Sequence, residues 1–201
     1  TSNPSAFNRT TWLNNSLLLL IGALFTIVFD FQNLIVAGGL WSGESMRGWA
    51  GDNLLFAWNL WWVSEALWTG QSIGDGGALF HPEGVPFFFH TGTVVSGLIY
   101  ALVQTPWRLG LLSGDGPSVS LIYNWLIVLS GALTFWGGFL LAGVFRRHHL
   151  AQILGAVCIQ FCGLRVFAHY GHLNFIQTEW LIFSAYFLFR FLTDDTRNRD
   201  L

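Results

Sequence analysis

Lysine is absent from this chain of 201 residues, and charged side chains make up only 10% of it. A soluble domain carries about 25%, so an ordinary soluble enzyme and a secreted binding module are both excluded. All nine basic residues are Arg and the formal net charge is −2. Nucleic acid is therefore not an expected partner, because a phosphate backbone demands a dense basic face. Cysteine is equally scarce: Cys158 and Cys162 stand four apart within an apolar run. That is helical spacing, which excludes a disulfide framework. An initiator methionine is missing, which fits either its removal or the start of a fragment. No small-residue cleavage site follows the first apolar run, so a cleaved signal peptide is not expected.

What the chain has in abundance is apolar surface. It is 53% hydrophobic, with eleven Trp and nineteen Phe, and its mean hydropathy is +0.50. That surface needs a bilayer as its solvent, in which a helix of roughly 20 apolar residues crosses about 30 Å of hydrocarbon. Four stretches qualify: 16–36, 119–145, 150–168 and 173–192, of which 119–145 carries no charge. A fifth, 94–112, is interrupted by Gln104, Pro106 and Arg108, and proline removes a helical hydrogen bond. With four spans, Arg9, the Arg146-Arg147 turn and the tail bearing Arg190, Arg197 and Arg199 all face the cytoplasm, as the distribution of Arg in membrane proteins requires. The expected fold is an all-α, integral membrane protein with both termini cytoplasmic. The chain reads as one membrane-embedded unit with a large extracytoplasmic loop over 37–118, in which 94–112 dips into or lies along the outer leaflet.

Six of the tryptophans fall between Trp41 and Trp68, and Trp favours the headgroup level. The run DNLLFAWNLWWVSEALW, 52–68, predicts an interfacial amphipathic helix, with Asp52, Asn59, Ser64 and Glu65 leaning to one side. Asp52 opens it, either as an N-cap or as a surface carboxylate able to take a proton from an incoming hydroxyl. The loop 74–92 is dense in Gly and Pro and is anchored by Phe87 to Phe89; its His81 and His90 are either hydrogen-bonding groups of the loop or ligand contacts. Their spacing matches no zinc pattern, so no metal is expected. In FAHYGHLNF, 167–175, His169 and His172 share a helical face, either as solvated groups or in contact with a substrate phosphate. Asp30 and Arg165 are intramembrane charges. They either pair with each other or leave Arg165 facing an anionic headgroup.

Taken in order, GDNLLFAWNLWWVSEALWTG, LFHPEG, Tyr123-Asn124 at the opening of a span, an Arg-rich turn and FAHYGHLNFIQTEW resemble the N-terminal part of bacterial polytopic glycosyltransferases of the GT-C superfamily. The resemblance runs over about 16–192. It implies a bacterial inner-membrane protein that transfers a sugar from a polyprenyl-phosphate donor at the outer leaflet. Asp52 matches the catalytic aspartate of the first extracytoplasmic loop and would act as general base on the acceptor. Asn53, His81, His90, Arg165, His169 and His172 are the candidate substrate contacts. No cofactor is implied beyond the lipid-linked donor, which is itself a substrate. The chain stops short of the usual number of spans, so it reads as part of a longer enzyme or as a short relative that has lost catalysis. The alternative is a non-catalytic accessory subunit that meets membrane lipids, quinones, pigments or other transmembrane subunits of a larger complex. For that role, Gly131, Gly137, Gly138 and Gly143 would offer faces for close helix contact.

Overall fold

The computed structural model describes residues 9–30, 32–48, 51–74, 93–145, 148–168 and 172–199, and among these the regular structure is helical, with no strand. The helices are α1 (Arg9–Phe29), a short π-helical turn (Gln32–Val36), α2 (Asp52–Thr69), α3 (Val94–Arg108), α4 (Val119–Phe145), α5 (His149–Gln160), α6 (Gly163–Ala168), α7 (Leu173–Ile176) and α8 (Glu179–Arg199). Two helical stretches are long and apolar enough to cross a membrane: Val119–Phe145, of 27 residues, and His149–Val166, of 18. The second contains a kink at Phe161 and Cys162, where the amides still donate to Val157 and Ile159 at 3.0 and 3.3 Å. The amides of both residues at this break between α5 and α6 thus keep backbone partners.

The other expected spans take different forms. In the first, α1 ends at Phe29 and the chain widens into the π turn, where Leu34 N–H donates to Asp30 and Ala37 N–H to Gln32, both at 2.8 Å. In the last, α7 is separated from α8 by Gln177 and Thr178. The helix at 94–108 holds only 15 residues, with Pro106 inside it, about 22 Å at ~1.5 Å per residue.

The chain divides into two compact units. The first, made of Thr1–Phe29, Ile127–Phe167 and Ile176–Leu201, is built around glycines that let α4 meet its neighbours closely. A Cβ on Gly22 of α1 would fall 2.7 Å from Phe135 Cβ and 2.9 Å from Ala132 Cα, and one on Gly138 would fall 3.1 Å from Ala156 Cα of α5. Gly131 abuts Thr26 and Gln160, Gly137 abuts Ile182, and Gly143 abuts Gln152. These small faces are thus occupied by the chain's own helices rather than offered to a partner subunit. Phe25 sits edge-on to Phe135 with ring centroids 5.6 Å apart, and Gln160 Nε2 donates to Thr26 Oγ1 at 2.9 Å.

The second unit is Asp30–Leu126 with Ala168–Phe175. Here α2 packs on α3 through Gly97, where a Cβ would meet three carbons of the buried Val63 at 2.5 to 2.9 Å. The segment after the π turn is pinned to the start of α4 by Asn124, which is wholly buried. Its Nδ2 donates to the carbonyls of Gly39 and Ser45 at 2.9 and 2.7 Å, and its Oδ1 accepts from Arg47 N–H at 2.9 Å. Trp125 Nε1 adds a bond to the Leu40 carbonyl at 3.2 Å.

The polarity of α2 corrects the amphipathic reading. Asn53, Asn59 and Ser64 point inward and are buried, while Leu54, Trp61, Leu67 and Trp68 are exposed. Asp52 and Thr69 are exposed and Glu65 is half-buried. Those buried polar groups sit among buried Phe56, Leu60, Trp62 and Val63, so the exposed side of the helix is not its polar side.

Candidate functional site

The most informative arrangement in the second unit starts with the opening of α2. The N-cap is Gly51, and no side chain caps the helix. Asp52 is therefore the first helical residue, not the cap, and its carboxylate still gains from the positive end of the helix dipole. With no capping bond to make, the carboxylate is available to something else. His172, the residue before α7, places its Nδ1 3.2 Å from Asp52 Oδ2. A carboxylate only accepts, so the contact is made with the imidazole ring protonated at Nδ1, and a fully protonated ring would make it an ion pair.

The ring of His172 is held by its own turn. It lies against Phe175 with centroids 5.7 Å apart, and Phe175 N–H donates to the His172 carbonyl at 3.0 Å. Leu173 next to it is wholly buried and fixes α7 in place. The Asp52 side chain remains 59% exposed and that of His172 33%, so the pair is reachable by a large substrate. The structure thus joins two features 120 residues apart that the sequence had picked out separately, the GDN helix start and the GHLNF turn.

Behind the pair lies a buried support. Asn53 is 3% exposed. Its Nδ2 donates to the Arg47 carbonyl at 3.4 Å, and its Oδ1 accepts from Leu54 N–H at 3.0 Å. It faces into the unit and supports its neighbour, rather than presenting itself to a substrate. The Arg47 guanidinium in turn meets the Asp30 carboxylate, both groups being buried. Arg47 was not singled out in the sequence, since nothing local marks an Arg seventeen residues away as the partner of Asp30.

Arg165 belongs to the first unit and is wholly buried, so it does not face a headgroup at the membrane surface. Its Nη1 reaches Ser130 Oγ at 3.3 Å, Thr134 Oγ1 and Thr178 Oγ1 at 3.0 Å each, and the Ile176 carbonyl. Ser130 Oγ also donates to Glu179 Oε2 at 2.6 Å, so acid and base share one hydroxyl in the interior of the unit. Burial on this scale is tolerated only when the charges are paired and hydrogen-bonded. His81, His90 and His169 lie outside the described residues, as do Phe87 to Phe89 and the Arg146-Arg147 turn. Among the described residues no group of three or more His, Cys, Asp or Glu is placed to hold a metal ion. Cys158 and Cys162 are free thiols.

Compared with known protein families, curated proteins and solved structures, the chain matches none.

Proposed function

We propose that this chain is a membrane-embedded glycosyltransferase module of the GT-C type, with Asp52 as the general base. The observation that carries the reading is the Asp52–His172 contact, an accessible carboxylate held at a helix N-terminus by an imidazole. In the proposed reaction the Asp52 carboxylate takes the proton of an acceptor hydroxyl as that oxygen attacks the anomeric carbon of a polyprenyl-phosphate sugar. The new carbon–oxygen bond forms while the bond to phosphate breaks, and the lipid phosphate leaves with the electron pair. Donor and acceptor must meet where the bilayer ends, and holding them there supplies much of the rate. His172 orients the base, while His81, His90 and His169 are assigned as further substrate contacts.

Residence in a bacterial inner membrane belongs to the same reading. It is supported by the apolar stretch His149–Val166, of which only 22% of the residues are buried, as suits a helix with lipid for a neighbour rather than a soluble core. In this reading four helices span, both termini are cytoplasmic and 37–118 is extracytoplasmic.

The test is transfer in reconstituted vesicles supplied with a polyprenyl-phosphate sugar and an acceptor. Loss of a general base costs about 10²–10⁴-fold, so Asp52→Asn should lower transfer by that range. Unchanged transfer would overturn the assignment. A second reading, an accessory subunit, draws on the exposed apolar side chains of α8, where Leu181, Phe187 and Phe191 are 71, 64 and 70% exposed. It gains if the chain purifies in fixed ratio with other membrane proteins and Asp52→Asn has no effect.

A further inference from the structure

Beside the α2–α3 contact the second unit carries an open apolar groove of about 380 Å³, lined by Leu67 and Trp68 of α2 and by Leu98, Ala101, Leu102 and Thr105 of α3. The four α3 positions recur at i, i+3, i+4 and i+7, one continuous helix face. This volume sits at the low end of small-molecule sites, about 300–1,000 Å³, and suits a stretch of one acyl chain. An apolar trough alone would not say what fills it, but a pair of charges stands next to it. Arg108 lies one turn beyond Thr105 on α3, and Glu65 one turn before Trp68 on α2. Their side chains join the two helices, Arg108 Nη2 donating to Glu65 Oε2 at 2.5 Å. Both remain partly accessible, at 40 and 26%.

We infer that the groove binds a zwitterionic phospholipid of the phosphoethanolamine class, with an acyl chain along Leu98, Leu102 and Leu67 and the headgroup on the Arg108–Glu65 pair. The headgroup phosphate takes the remaining guanidinium donors of Arg108, for which a planar five-donor fork is well suited. The primary ammonium donates to Glu65. Charge complementarity selects this class: an anionic headgroup would meet the Glu65 carboxylate with like charge, and a phosphocholine would bring a cation without N–H donors. Trp68, whose indole suits the headgroup level, lines the trough close to the charged pair. The inference rests on membrane residence and is independent of the chemistry assigned to Asp52.

The experiment is native mass spectrometry of the intact chain released from nanodiscs containing equal parts of phosphatidylethanolamine, phosphatidylcholine and phosphatidylglycerol of matched chains. One phosphatidylethanolamine should be retained several-fold over either competitor. Glu65→Gln should erase the preference over phosphatidylglycerol, and Ala101→Trp, which fills the trough, should abolish retention. Because either variant could misfold, a second measurement uses the folded wild type: brominated-chain phosphatidylethanolamine should quench its tryptophan fluorescence more than it quenches Trp68→Phe. Equal retention of the three lipids, preference for phosphatidylglycerol, or identical quenching of wild type and Trp68→Phe would overturn the proposal. Since the readout is bound lipid, its failure is distinguishable from a failure of the transfer assay.

Discussion

Two ionic arrangements in this chain look alike on paper and differ in consequence because of where they sit. The Asp52–His172 pair is accessible on both sides, and exposed pairs are worth about 0.2–1 kcal/mol. Asp52→Asn should therefore leave the melting temperature in detergent nearly unchanged, a shift worth no more than about 1 kcal/mol, while removing transfer. A large loss of stability would mean that Asp52 holds the fold rather than the substrate. Arg165 and Glu179 are buried at 0 and 3% exposure and share Ser130. Removing Arg165 leaves the buried Ile176 carbonyl and the hydroxyls of Ser130, Thr134 and Thr178 without their charged donor, at a cost of about 1–3 kcal/mol. Arg165→Met should destabilise on that scale in chemical unfolding. Adding Glu179→Leu should restore part of the loss, since the two effects are coupled and not additive. If the double variant is as unstable as the sum of the singles, the two side chains do not act as one unit.

At the scale of elements, helix packing turns on glycine. Gly97 of α3 lets Val63 of α2 sit where its Cβ would be. Gly97→Ala should cost about 1–3 kcal/mol through overpacking. Val63→Ala, which is itself destabilising in isolation, should lose most of its penalty when combined with Gly97→Ala, because the added methyl fills the space vacated. Thermal melts of the two single variants and the double variant read the coupling directly, and strict additivity would contradict the contact.

The same scale shows what could be read from the sequence. The expected run at 119–145 coincides with α4 because an uncharged apolar stretch of that length has few alternatives to a helix. The helix at 52–69 was visible because it contains no glycine or proline. Its inside and outside were not legible. Polar residues on a helix are assumed to face water, whereas here Asn53, Asn59 and Ser64 face the interior. The cross-links made by Asn124 to Gly39, Ser45 and Arg47 were equally hidden. A single Asn at the start of a span gives no sign of which loop will fold back onto it.

For the molecule as a whole, α4 is the decisive element, since every assignment of sidedness depends on whether it crosses the bilayer. Its 27 residues extend about 40 Å at ~1.5 Å per residue, more than the ~30 Å of hydrocarbon. Asp115 and His148, which flank it, are exposed. In a background with Cys158 and Cys162 changed to Ser, Asp115→Cys should react with an impermeant maleimide added outside intact cells. His148→Cys should react only after the membrane is opened. Thr193→Cys, exposed on α8, should then follow His148→Cys, because four spans return the tail to the cytoplasmic side, where the Arg bias places it. Labelling of positions 115 and 148 from the same side would deny α4 its crossing. It would also remove the outer leaflet as the setting for chemistry at Asp52. Labelling of position 193 with position 115 would instead make the number of crossings odd, so that one more or one fewer helix than we assign crosses the bilayer, with the short, proline-bearing α3 as the first segment to probe.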